Sequence, residues 1–193
     1  MVLINCLTLK EKKLLKTVSL KKEEILFNEN DRCEYVGIVE SGIVTISSFS
    51  YNGNEIVFNS LKKGDIFGNN LIFTDTPFFK GNIIGKTRST ISLISKQNLI
   101  KILQENTDFL TAYLEYQSLF SQKLNSKIKL LSFDSAEERF LYFLFINKDE
   151  IHFSSVTSLA SELSLKRETL SRLISKLVKD KRILRSGNMI RKI

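Results

Sequence analysis

Hydrophobic residues change their spacing along this chain, and the changes mark out its parts. Between Glu24 and Ile94 they come in short runs, at 25–27, 35–39, 43–46, 56–58, 66–67, 83–84 and 90–94, rich in β-branched and aromatic side chains, as strands are. Turn-forming stretches separate the runs: Asn28-Glu29-Asn30-Asp31, Ser41-Gly42, Tyr51-Asn52-Gly53-Asn54 and Lys63-Gly64-Asp65. Asn52-Gly53 is the best hairpin candidate, because tight hairpin turns need positive φ, which these two residues tolerate. Strands this dense, with no helix between them, predict an antiparallel barrel or sandwich. Ahead of them, Leu7, Leu9, Leu14, Leu15 and Val18 predict a short amphipathic helix over 7–18, started by Thr8.

Helical spacing returns at Ser95 with Leu99, Ile102 and Leu103. Asn106-Thr107-Asp108 then offers a cap for a long helix to about Leu131, along which Phe109, Tyr113, Tyr116, Phe120, Leu124, Ile128 and Leu131 follow at steps of three and four. Such a helix is roughly 36 Å long at 1.5 Å per residue. A stripe of that length is read as a dimer seam, against the plainer alternative that the barrel alone covers it. Asp134-Ser135-Ala136-Glu137 starts the next helix, whose apolar body is 139–146, leaving 133–134 as a hinge.

Two short amphipathic helices follow. Val156, Leu159, Ala160 and Leu163 set the first and Leu170, Leu173, Ile174 and Leu177 the second, with a break at Ser164-Leu165. The second presents Arg167, Glu168, Ser171 and Arg172 opposite its apolar stripe. Arg can pair two-pronged with guanine and Glu can accept from cytosine N4; a solvated charged face is the alternative. Residues 182–185 and 189–193, joined by Ser186-Gly187-Asn188, predict a two-stranded wing whose Arg and Lys can touch phosphates.

Charge placement favours the DNA-reading alternative. Residues 151–193 hold ten Lys/Arg against three Asp/Glu, so nearly all of the formal +8 lies there, as a phosphate-neutralising surface requires. The 193 residues, 42% hydrophobic and 26% charged, suit one mid-sized domain and a small one. The apolar run 140–146 falls far short of the ~18 residues that span a bilayer, and the N-terminus lacks a charged leader, so the expectation is a cytoplasmic protein without a membrane partner. Cys6 and Cys33 suit reduced thiols, and with His152 they cannot by themselves complete a four-ligand metal site, so neither metal nor cofactor is expected; carboxylate ligands or ligands shared across a dimer are the alternative.

In its order of parts, and in Val39-Glu40-Ser41-Gly42, Gly64-Asp65-Ile66-Phe67-Gly68, Ser135-Ala136-Glu137-Glu138-Arg139 and Lys166-Arg167-Glu168-Thr169-Leu170-Ser171-Arg172, the chain resembles the CRP/FNR family of bacterial transcription regulators over essentially its whole length. The resemblance implies an α+β fold: an N-terminal antiparallel β-roll of the cyclic-nucleotide-binding type over 1–106, a long dimerisation helix over 107–133 and a C-terminal winged helix-turn-helix DNA-binding domain over 134–193. It implies a homodimer on palindromic double-stranded DNA with TGA-containing half-sites. Arg167, Glu168, Ser171 and Arg172 fall at base-reading positions, and Lys166, Lys176 and Lys192 are the expected phosphate contacts. RNA polymerase and a small-molecule effector stay open as further partners. Lys166 is a departure, since relatives often have Ser at that N-cap, whose loss costs about 1 kcal/mol.

The implied effector pocket takes in Phe67, Asn69, Leu71, Phe79, Lys80 and Leu124. Cyclic-nucleotide binders of the family carry a Glu for the ribose where this chain has Asn69, and an Arg-Ser or Arg-Thr pair for the phosphate where it has Phe79-Lys80. Losing a bidentate anion partner costs several kcal/mol, roughly, so cyclic AMP is not the expected ligand. Phe58, Phe67, Leu71, Phe73, Phe78 and Phe79 are expected mainly as barrel core. Gly81–Thr87 resembles a phosphate-binding loop but is one residue short and precedes a strand. No nucleophile elbow or paired metal motif supports an enzyme; a small-molecule sensor acting through protein contacts is the alternative to a DNA-binding regulator.

Overall fold

The computed structural model describes residues 3–193, which divide into a unit ending at Gln117 and a unit beginning at Ser118. Thr8 starts α1 (Leu9–Lys12) through a capping box: its Oγ1 accepts from Glu11 N at 3.3 Å, and the Glu11 carboxylate accepts from Thr8 N at 2.7 Å. The helix stops there. Thr17 and Val18, β-branched residues that resist helix, belong instead to β1 (Lys16–Leu20), which pairs with Ser89–Ser95 (β8) in the register Val18↔Ile91. The helix expected over 7–18 is therefore corrected to a single turn and a strand, and Leu14 and Leu15 pack on the core between them.

Two antiparallel four-stranded sheets make the first unit. One has the order β1-β8-β3-β6, with β3 at Tyr35–Ser41 and β6 at Ile66–Phe67; the other has the order β2-β7-β4-β5, from Ile25–Phe27, Asn82–Gly85, Val44–Phe49 and Glu55–Leu61. Val36, Ile38, Ile91 and Leu93 of the first sheet and Val44, Leu61 and Ile83 of the second join one core cluster. The β4–β5 hairpin turns at Asn52-Gly53, where Gly53 has φ +76° and Ser50 N donates to Asn54 O at 2.8 Å. At Gly37 any side chain is excluded by space: an added Cβ would lie 2.0 Å from the Phe67 ring.

Helix α2 (Lys96–Glu105) adds Leu99 and Ile102 to that core. Asn106 ends it and caps the next helix, its Oδ1 accepting from Phe109 N at 2.9 Å. That helix, α3 (Thr107–Leu131), begins in the first unit with Phe109, Ala112 and Tyr113 buried. Its stripe does not stay buried: Tyr116 and Phe120 are half-buried, and Leu124, Ile128 and Leu131 are exposed.

The second unit contains α4 (Ala136–Ile146), capped by Ser135 and Glu138, then β9 (Glu150–His152), α5 (Val156–Glu162), α6 (Arg167–Lys179), β10 (Ile183–Ser186) and β11 (Met189–Lys192). Phe140, Leu144, Leu159, Leu163, Leu170, Ile174, Leu177, Ile183 and Ile190 are its core. Ala160, buried at the contact of α5 with α6, lets the two helices approach. The β10–β11 hairpin gains β9 as a third strand, Ile151 opposite Ile190, an element the sequence pattern did not signal.

Candidate nucleic-acid interface

Helix α6 is sorted cleanly by exposure. Leu170, Leu173, Ile174 and Leu177 are buried, whereas Lys166, Arg167, Glu168, Ser171 and Arg172 are exposed. The turn before it is tight: Ser164 takes φ +52°, Leu165 N donates to Ala160 O at 2.8 Å, and α6 starts at Lys166 without a side-chain cap. Arg167, Glu168, Ser171 and Arg172 line one open depression of about 310 Å³. Among the described residues no salt bridge engages Lys166, Arg167 or Arg172. Two cationic forks, an acceptor and a hydroxyl thus share one exposed helical face, chemistry that suits the edges of bases.

Other basic groups are held inside the unit. Lys176 Nζ lies 2.9 Å from Glu137 Oε2, and Arg182 takes the other Glu137 oxygen. Hydrogen bonds from Lys176 first, then Arg182, hold the Glu137 carboxyl below its usual range, and the bond to Glu137 holds Lys176 above its own. Arg185 Nε donates to Gly187 O at 3.1 Å and its guanidinium lies 5.9 Å from the Phe153 ring centre, bracing the hairpin turn. Lys192 Nζ stands 3.8 Å from Asp149 Oδ1. Of the cations on the expected wing, Arg182 and Arg185 thus have partners within the unit. Arg191, on the second strand of the expected wing, is exposed, as are Lys179 and Lys181, which the sequence pattern did not single out. His152 is solvent-facing and 3.1 Å from Glu150.

The expected effector residues divide into three groups. Phe67 and Phe79 are buried, and Phe27 stacks on Phe79 at 4.9 Å between ring centres while meeting Phe67 edge-on at 6.4 Å. Asn69, also buried, donates its side-chain amide to Gln117, which donates back to Asn69 O at 3.4 Å and to the Tyr113 hydroxyl at 3.5 Å. Burial pushes the Tyr113 phenol up to about 12. Tyr116 accepts from Ile66 N at 3.1 Å, so α3 is tied to β6 at Ile66 and to the segment after it at Asn69. Leu71 is half-buried and Lys80 exposed, while Leu124 is exposed and falls in the second unit.

Three aromatics expected in the barrel core lie outside it. Phe58, on edge strand β5, is 57% exposed, Phe73 47% and Phe78 37%. Only Leu61 of β5 is buried; β5 is the edge strand of its sheet, and its pairing with β4 shifts register between Ile46 and Ser47. From Pro77 to Gly81 burial alternates, turning Phe79 inward and Phe78 and Lys80 outward.

Residues 17–106 match the family model described as the cyclic nucleotide-binding domain. The anaerobic regulatory protein of Bacillus subtilis is 26% identical over 120 residues, which are 60% of this chain and half the length of that protein. Among solved structures, the Thermus thermophilus catabolite activator protein covers the whole chain and 94% of its own at 16% identity and a TM-score of 0.58. A Carboxydothermus hydrogenoformans CooA mutant covers 94% of this chain and 84% of its own at 22% identity and a TM-score of 0.67. The first unit is thus a β-roll of the cyclic-nucleotide-binding type in an α+β chain.

Proposed function

We propose that this chain is a regulator of the CRP/FNR type, a DNA-binding transcription regulator that works as a homodimer on palindromic sites with TGA-containing half-sites. The observation that carries this reading is the exposed, ion-pair-free set Arg167, Glu168, Ser171 and Arg172 on one face of α6. In a winged helix-turn-helix, α6 is the helix that enters the major groove. Arg167 and Arg172 take guanine edges, Glu168 takes cytosine N4, and Ser171 adds an adaptable hydroxyl. Lys166, Lys176 and Lys192 serve phosphates, Lys176 by exchanging Glu137 for a phosphate oxygen. The exposed Leu124, Ile128 and Leu131 of α3 supply the dimer seam. RNA polymerase is the further partner of such a regulator.

The β-roll in this reading does not take cyclic AMP. Phe79 stands where the phosphate's Arg is needed, and its ring is committed to Phe27 and Phe67; Asn69, in place of the ribose Glu, is committed to Gln117. The test is a gel-shift titration of the full chain, at physiological salt, with a TGA-containing palindrome and a scrambled duplex of equal composition. Preference for the palindrome is expected. Equal affinity for both sinks specific recognition.

A further inference from the structure

Two cations that do not lie on the DNA-reading face converge on the turn that launches it. The last carbonyls of a helix have no partner within the helix, and α5 is only seven residues long. Lys127 Nζ, on α3, donates to Glu162 O. Arg139, on α4, donates from Nη1 to Leu163 O and Ser164 O, at 3.4 Å each, and from Nη2 to Phe133 O at 3.2 Å. Three successive carbonyls of one turn therefore accept from two side chains on two other helices. Both side chains are half-buried, and desolvation holds the Lys127 ammonium below its usual range. A lysine drawn partly out of water onto a carbonyl is placed for that carbonyl rather than for a passing phosphate.

We infer that Lys127 and Arg139 are positioning residues for base reading: they fasten the α5–α6 turn to α3 and α4, and so set the direction in which Arg167 and Arg172 leave the unit. The inference rests on the DNA-reading role proposed above. Bidentate pairing tolerates little displacement of the fork, so a loosened turn loses base discrimination while the charges that neutralise phosphates stay where they are.

Two properties separate positioning from phosphate contact. A lost phosphate contact weakens every sequence alike and lowers the log–log salt slope by about one, whereas a lost positioning contact does neither. With the full chain, Lys127→Met is expected to weaken binding to the TGA palindrome about tenfold, leaving the scrambled duplex and the salt slope unchanged. Lys127→Arg, which keeps a donor in reach, is expected to restore discrimination. Arg139→Lys, which keeps the charge but cannot span two carbonyls, is expected to lose it. Uniform weakening with a reduced slope, or variants that discriminate like the parent, overturns the inference. If the parent itself fails to discriminate, the functional reading falls first, and the positioning contact is read separately by amide hydrogen exchange. Faster exchange at Leu165 in Lys127→Met than in Lys127→Arg is expected; equal exchange overturns the contact.

Discussion

Glu137, in the first turn of α4, holds Lys176 of α6 at 2.9 Å with one carboxylate oxygen and Arg182, just before β10, with the other. One half-buried acid thus ties the helix that carries Arg167 and Arg172 to the hairpin that follows it. Because the folded carboxyl sits below its ordinary 4.5, its contribution to stability is present above that value and lost as pH falls through the folded one. Thermal melting of the parent should therefore decline as pH drops below about 4.5, the usual carboxylate range, and Glu137→Gln should flatten that decline. The same variant frees two cations, so its affinity for scrambled DNA should rise at low salt. A parent and a variant with superimposable pH profiles would remove this ion pair from the stability of the unit.

Arg172→Ala and Arg167→Ala should each cost ~1 to 3 kcal/mol of binding to the palindrome and relax preference at one base pair. Lys192→Ala should weaken palindrome and scrambled duplex alike, since a phosphate contact carries no sequence information. Competition gel shifts against singly substituted half-sites measure both. Arg172→Ala with full discrimination would place base reading elsewhere.

Leu124 and Ile128 are 52% and 56% exposed, so charging them leaves the chain's own cores intact. Leu124→Glu with Ile128→Glu should convert a dimer into a folded monomer by sedimentation equilibrium, because burying two carboxylates in a helix seam costs several kcal/mol, roughly. Binding to the palindrome should fall with dimerisation. A variant that stays dimeric would move the interface off this stripe.

Asn69 and Gln117 are linked inside the first unit, where Asn69 is 4% exposed. Gln117→Leu strands a buried amide and should destabilise the unit by about 1 to 3 kcal/mol in urea titration. Cyclic AMP at millimolar concentration should not raise the melting temperature of the parent, since a ligand stabilises only the state it binds. A cyclic AMP-dependent rise would show that Phe79 and Asn69 can give way.

Most secondary structure was legible because local chemistry and tertiary context agreed. Asn52-Gly53 marked a hairpin, Asn106 and Ser135 marked helix starts, and the 3/4 spacing of Leu159, Leu163, Leu170, Ile174 and Leu177 marked two helices whose apolar sides are buried. The failures share one cause. Residues 14–18 had helical spacing, yet β8 offered Thr17 and Val18 a strand partner. Phe58 and Phe78 had core chemistry, yet one lies on an edge strand and the other on the outward side of an alternation.

The same division holds for the interface and marks what each level decides. Residue order alone determined that Arg167, Glu168, Ser171 and Arg172 share a face opposite an apolar stripe, because helical geometry is local and repeats every 3.6 residues. Only the tertiary structure decided which charges stay free. Glu137 and Lys176 are 39 residues apart, Glu162 and Lys127 are 35, and Arg139 and Ser164 are 25. Partners brought together by packing leave no periodic trace in a sequence, so whether a cation faces a nucleic acid or a carbonyl of its own chain is settled by the fold.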